Sequence, residues 1–185
     1  DLSESDTMTF KLTGGKTDIS LKLRIPDWVP EGKAVVKFGG EVYEYTATDG
    51  FIVIPADKLS GNASFTVTLP MEVVAYNLPD SANTYAFKYG PFVLSAKLGT
   101  ASQSVGSHGV SVTVPTSKAV ANDSIGIRAE ASVEEFMAKI NQYLVKQDGS
   151  MDFKLNGTNF DYTFTTHYNQ DKENYGIYWT YSVNE

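Results

Sequence analysis

Residues 166–179 read THYNQDKENYGIYW, which places His167, two carboxylates at Asp171 and Glu173, three tyrosines and Trp179 within fourteen positions. A histidine beside carboxylates is the raw material of general acid–base chemistry. Two carboxylates held at a fixed separation suffice for glycoside hydrolysis, and the chain has 22 Asp and Glu from which a pair could be drawn, although no motif singles one out. Aromatic rings flanked by Asn169, Asp171 and Asn174 could instead stack on sugar C–H faces while the polar groups take the hydroxyls. The rest of the catalytic inventory is thin. The two histidines, His108 and His167, have no partner at metal-ligand spacing, and there is no cysteine, so a zinc site is not expected. No G-x-S-x-G supports a serine nucleophile, and the glycine pairs lack the strand–loop–helix context that cradles phosphate. No catalytic residue, metal or cofactor is assigned.

The elements around this stretch constrain what it can be. DYTFTT (161–166) and YGIYWTY (175–181) alternate as strands and flank the polar loop NQDKEN, which reads as a hairpin with Asp171, Lys172 and Glu173 solvated at its tip. Alternation puts Tyr175, Ile177, Trp179 and Tyr181 on one, buried face, with Gly176, Tyr178 and Thr180 on the other, and leaves His167 bonding locally at a strand end. Short runs rich in Val, Ile, Thr, Phe and Tyr recur along the chain, among them ISLKLRI (19–25), VYEYT (42–46), FIVIP (51–55), ASFTVTL (63–69), FVLSAKL (92–98) and VSVTV (110–114). Turn signals such as ATDGF and KLNGTN separate them. The expected class is mainly β, antiparallel β-sandwich in two modules, 1–77 and 78–185, with NLPDSAN (77–83) at the boundary. One helix near 133–145 is expected in the second module, from the spacing of Val133, Phe136, Met137, Ile140, Tyr143 and Leu144 and from the S-x-x-E box at Ser132–Glu135.

Composition excludes several partners. A net charge of −7 with 15 scattered Lys and Arg disfavours nucleic acid, and no run approaches the roughly 18 apolar residues of a membrane span. Absence of cysteine fits either redox compartment, and the opening DLSESD reads as part of something longer.

LRIPDWV (23–29), VTLPMEVVAYNLPD (67–80), YAFKYGPFVLSAKL (85–98) and the tyrosine-rich HYNQDKENYGIYW form an ordered series that resembles the C-terminal β-sandwich region of glycoside hydrolase family 127, the bacterial β-L-arabinofuranosidase-like proteins. Lys88 and Tyr89 precede Gly90-Pro91 where the family commonly has an arginine. The resemblance implies a parent whose helical (α/α) barrel carries a cysteine nucleophile, a zinc ion and an acid/base glutamate. None of those roles transfers to this cysteine-free chain. It further implies that this region is not an enzyme by itself. Its partner would be the catalytic helical barrel of the same parent chain, with plant or microbial polysaccharide as a further partner and an extracellular or cell-surface location favoured over a cytoplasmic one. Two functions are weighed on this basis. One is an accessory region that braces the barrel. The other is a carbohydrate-binding module whose site residues would be Trp28, His167, Tyr168, Tyr175 and Trp179. A free-standing enzyme ranks third. Solvent-facing rings would favour binding, and buried rings or a flat apolar patch would favour bracing.

Overall fold

The structure, a computed structural model, describes residues 5–100, 104–107, 113–116, 125–128, 130–159 and 161–183. His108 and much of the run 110–114 lie outside them. Two compact units divide between Glu72 and Val73. The NLPD segment, expected as a boundary, turns a hairpin: residues 73–78 pair with 81–89, and Asn77 Nδ2 donates to the carbonyls of Ser81 and Ala82, each at 2.9 Å.

The first unit comprises β1 (Thr7–Lys11), β2 (Leu21–Arg24), β3 (Val35–Phe38), β4 (Glu41–Val42), β5 (Phe51–Ile54), the short helix α1 (Ala56–Leu59) and β6 (Ser64–Thr68). A four-stranded antiparallel sheet, β1-β6-β3-β4, and the β2–β5 ladder share one core, with Val36, Phe65 and Val67 from the first and Ile52 and Ile54 from the second. The clean alternation of LKLR is retained: Leu21 and Leu23 turn toward this core while Lys22 and Arg24 face solvent. Pro26, with no N–H to donate, follows the end of β2, and its carbonyl accepts from Val29 N–H at 3.1 Å. Trp28 is then half-buried against the core. The Asp-Gly signal in ATDGF makes the tight turn it implies, with φ of 53° at Asp49 and 78° at Gly50 and reciprocal Thr48–Phe51 hydrogen bonds of 2.9 Å. The expected strand 42–46 shrinks to Glu41–Val42, beyond which Tyr43 N–H still bonds the Val36 carbonyl at 2.8 Å and the Tyr45 hydroxyl bonds the Ala34 carbonyl at 2.6 Å.

The second unit comprises β7 (Val73–Leu78), β8 (Ser81–Tyr89), β9 (Phe92–Lys97), β10 (Ser104–Ser107), β11 (Thr113–Thr116), β12 (Ile125–Ile127), α2 (Val133–Ala138), α3 (Ile140–Tyr143), β13 (Leu144–Lys146), β14 (Asp152–Leu155), β15 (Thr163–Thr166), β16 (Tyr175–Gly176) and β17 (Trp179–Val183). Nine of these strands form one sheet with the path β12-β17-β8-β9-β15-β14-β13, to which β7 adds on β8 and β16 on β9. The β12–β17 pair is parallel and the other pairs are antiparallel, so the chain is mainly antiparallel β throughout.

The expected hairpin between 161–166 and 175–181 does not form. Ala96 of β9 pairs with Phe164 on one edge and with Gly176 on the other, so β15 and β16 lie on opposite sides of β9. Tyr85 of β8 likewise pairs with Asn77 on one edge and Trp179 on the other. The β8–β9 hairpin therefore pairs only next to its turn, at 87–89 with 92–94, and then splays. Segment 175–183 enters the fork, bonding β9 through β16 and β8 through β17. Two long strand edges would otherwise be left with unpaired amides and carbonyls. The wedge is tightly seated, since a Cβ on Gly176 would lie 2.4 Å from Trp179 Cζ2. Trp179 and Tyr181 are 4% and 1% exposed, whereas Tyr175, expected on the same buried face, is 48% exposed because the segment leaves the ladder between Gly176 and Trp179.

The expected single helix over 133–145 is two short helices and a strand. Ser132 Oγ caps the first as its box implies, accepting Glu135 N–H at 3.1 Å. Lys139 then leaves helical geometry (φ −110°, ψ 18°), while Glu130 holds both its Nζ, at 3.0 Å, and the Tyr143 hydroxyl, at 2.6 Å. The hydrogen bond from Tyr143 and the Lys139 ammonium lower the Glu130 pKa, and Glu130 in turn raises the pKa values of Tyr143 and Lys139. Leu144 and Val145 pair with Leu155 and Lys154 instead of finishing the helix. The apolar stripe survives the break: Val133, Phe136, Met137, Ile140 and Leu144 all pack with Phe153, Phe164 and Tyr181 in one core.

Steric fit in the fork predicts that Gly176→Ala destabilises by about 1–3 kcal/mol and Trp179→Ala by about 3–5 kcal/mol in urea denaturation. Tyr181 gives the opposite sign. Its buried hydroxyl meets no acceptor among the described residues, and burial pushes its pKa well above the usual 10.0. A raised pKa means this group's contribution is intact below about pH 10 and is lost as pH rises through the folded-state value. Tyr181→Phe is therefore expected to raise stability by about 1–3 kcal/mol and to flatten the alkaline fall, and a lower urea midpoint for that variant at pH 8 would show that the hydroxyl has a partner.

Candidate functional site

Antiparallel pairing sets the outer face of the second unit's sheet. Leu94 and Ala96 of β9 point into the core, so Ser95 and Lys97 point away from it. Ser95 lies opposite Thr165, and Thr165 lies opposite Asp152, which makes a polar row across β9, β15 and β14. A polar row on an outer face would ordinarily be wet, yet Ser95 is 0% and Thr165 3% exposed. The cover is the chain that leaves β15. It makes a 3₁₀ turn over His167–Asn169, with His167 Nδ1 at 3.4 Å from Ser95 Oγ and Asn169 Nδ2 donating to Thr166 Oγ1 at 2.9 Å. The return limb is held by Leu98 N–H to the Asn174 carbonyl at 2.9 Å and by Asn174 N–H to the Gly99 carbonyl at 2.8 Å. Glu173, expected to be solvated at a hairpin tip, instead accepts Gly99 N–H at 3.0 Å.

Between this cover and the sheet lies a polar cavity of about 310 Å³, whose walls include Lys97, Asp152, Thr165, Gln170, Asp171 and Lys172. Lys97 Nζ and Asp152 Oδ2 are 2.7 Å apart, with each side chain about one-third exposed, at 31% and 34%. An ion pair so open to solvent contributes little to stability, so its main effect is to place a donor and an acceptor side by side. Gln170 Nε2 is buried and has no acceptor among the described residues. Beside the cavity stands Tyr175, which lies opposite Lys97 in the ladder and so shares its face. The ring meets the His167 ring edge-on at 4.7 Å, and Tyr168 packs on Phe92 at 5.5 Å.

Of the five residues the sequence proposed for carbohydrate, His167 and Tyr175 thus meet on the sheet's outer face, while Tyr168 packs on Phe92 beside the β8–β9 turn. Trp179 is in the core against Tyr162 and Phe164, with ring centroids at 5.0 and 6.4 Å. Trp28 is half-buried against the first unit's core. Lys97, Asp152 and Gln170 were not legible as a group. Only the polar Ser95 within the apolar run FVLSA hinted that β9 has a covered outer face. The larger cavity, about 630 Å³, lies in the first unit beside Val29, Ala34, Val42 and Tyr43, where the Tyr45 hydroxyl is already engaged by the Ala34 carbonyl. Among the described residues no three His, Asp or Glu side chains are placed to hold a metal ion.

No sequence-family model matches the chain, and no curated protein does. Solved structures do match in fold. One glycoside hydrolase superposes with a TM-score of 0.58 at 15% identity, over 98% of this chain and 31% of its own. A GH127 β-L-arabinofuranosidase from Geobacillus stearothermophilus T6 gives 0.54 at 14% identity, over 96% of this chain and 29% of the enzyme. The fold is that of a region of family 127 glycoside hydrolases. A further GH127 β-arabinofuranosidase agrees, with a TM-score of 0.50 at 13% identity over 98% of this chain and 31% of its own. The chain thus spans less than a third of the enzymes it matches, and the resemblance carried by LRIPDWV, YAFKYGPF and YGIYW holds at the level of fold.

The packing separates two groups of rings. Tyr168→Ala and Tyr175→Ala, at 55% and 48% exposure, are expected to cost about 1 kcal/mol or less in urea denaturation, against about 3–5 kcal/mol for Trp179→Ala. Glu173→Ala is expected to cost about 1 kcal/mol through loss of its bond to the Gly99 amide, whereas Asp171→Ala stays within about 0.5 kcal/mol.

Proposed function

We propose that this chain is a non-catalytic accessory β region of a glycoside hydrolase, and that it braces the catalytic barrel of the same parent chain. The observation that carries the reading is coverage: 98% of this chain corresponds in fold to 31% of a glycoside hydrolase. The ring pattern supports it, since Trp179 is 4% exposed and Trp28 lies against a core. A bracing surface also needs an exposed apolar patch. In the second unit Val74, Lys88 and Val93 lie side by side across β7, β8 and β9 on the outer face, with Val74 43% and Val93 38% exposed. Tyr76, 46% exposed, sits next along β7 with the Lys88 ammonium 5.4 Å from its ring centre. Sparse charge and exposed valine suit a covered face.

A second reading, recognition of carbohydrate, is favoured by one observation: Tyr175, 48% exposed, lies opposite Lys97, one wall of the polar cavity. The two readings use different parts of the outer face and can both hold.

The chain alone is expected to release aryl arabinofuranosides, galactosides and xylosides at buffer rates, since nothing in it pairs two carboxylates by motif and glycosidases need organised sites. Turnover abolished by one Asp or Glu substitution would overturn the accessory reading. In the full-length parent, Val74→Asp with Val93→Asp is expected to lower the melting temperature by several degrees while leaving the isolated chain's melting nearly unchanged, the mark of an interface that only the parent completes. Equal melting of the parent with and without the two charges would count against bracing through this face.

A further inference from the structure

We propose that the cavity between β9, β14 and the 167–173 cover binds one unit of a neutral saccharide, with Tyr175 as its stacking ring. The inference rests on the second reading above and gives it a site and a ligand class.

The polar groups of the cavity alternate in sign. Lys97 and Lys172 donate, Asp152 and Asp171 accept, and the Gln170 side chain, whose amide nitrogen is buried without a partner among the described residues, lines the same space. A hydroxyl group is both donor and acceptor, so it suits such a mixture, bridging the Lys97–Asp152 pair without disturbing its charge balance. An anion would meet Asp152, Asp171 and Glu173. A metal ion would meet the two ammonium groups and, among the described residues, no three-ligand cluster. A volume of about 310 Å³ stands at the small end of ligand sites, which run from about 300 to 1,000 Å³, and suits a single sugar ring better than an oligomer threaded through it. Tyr175 shares the face of Lys97, meets the His167 ring edge-on and is 48% exposed, which leaves ring surface free next to a wall of the cavity. Sugar rings bind with their C–H face on an aromatic ring and their hydroxyls on planar polar groups, and here both kinds of surface meet at Lys97.

The test uses the ¹⁵N-labelled full chain titrated with L-arabinose, D-galactose and D-xylose, with inorganic phosphate and calcium chloride as separate arms. The expected result is saturable amide shifts from at least one sugar centred on Lys97, Gln170 and Tyr175. Gln170→Ala and Tyr175→Ala should each weaken that binding by about tenfold, the effect of losing one buried hydrogen bond or one stacking face, at unchanged melting temperature. Tyr178→Ala, at an exposed ring outside the ladder that sets Tyr175 opposite Lys97, should leave it unchanged. Should Gln170→Ala melt low, Gln170→Glu keeps the side-chain shape, removes the amide donor and must still weaken binding. Sugar binding that shifts Phe92 and Tyr168 and ignores Gln170 substitutions would overturn this site while leaving carbohydrate recognition standing. No shift with any sugar would overturn both, and saturable binding of phosphate or calcium alone would overturn the ligand class.

Discussion

The second unit depends on one constraint, that strands β8 and β9 cannot stay paired along their whole length. They separate after 87–89 and 92–94, and each then presents a bare row of backbone donors and acceptors. Segment 175–183 satisfies both rows at once, β9 through Tyr175 and Gly176 and β8 through Trp179 and Thr180. Its inner side chains complete the core, where Tyr181 meets Phe87 edge-on at 6.1 Å and lies 6.4 Å from Phe136 of α2. β12 is in turn added to the outer part of this wedge by parallel pairing with β17. Pairing, core filling and the seat of the helices therefore pass through one stretch of nine residues, 175–183.

The same constraint creates the candidate site. Because β16 must lie on the far edge of β9 from β15, the chain between them has to cross the outer face of the sheet. In crossing, residues 167–173 cover Ser95 and Thr165 and bring Gln170 over Lys97 and Asp152. A simple hairpin would have put those residues at a solvated tip with nothing beneath them. The cavity is thus a by-product of the crossing, and its polar floor exists because β9, β14 and β15 carry Lys97, Asp152 and Thr165 outward while their alternate residues fill the core.

Local chemistry was legible wherever it acts over a few residues. Asp49-Gly50 made its tight turn, Ser132 capped its helix, Pro26 followed the end of β2, and the 2-residue and 3.6-residue periods sorted strands from helix. The apolar stripe from Val133 to Leu144 named the buried residues correctly even though Lys139 breaks the helix, because burial follows the face that meets the sheet. Tyr45 shows the limit from the other side. A run with strand composition pairs only over Glu41–Val42, and its Tyr45 side chain bonds the Ala34 carbonyl.

By itself the sequence determined the β class, the positions of turns, the core-facing residues of most strands and the absence of any cysteine-based chemistry. These follow from side-chain type and short-range backbone preference. Only the tertiary structure decided which strands are neighbours, that 161–166 and 175–181 are parted by β9, and that His167 and Tyr175 come together while Trp179 is withdrawn into a core and Trp28 lies half-buried against another. Alternation tells each strand which face is apolar, but the hydrogen bonds along its edges are the same for every residue type. The choice of partner is therefore settled by how the whole sheet can fill its core and leave no edge unpaired.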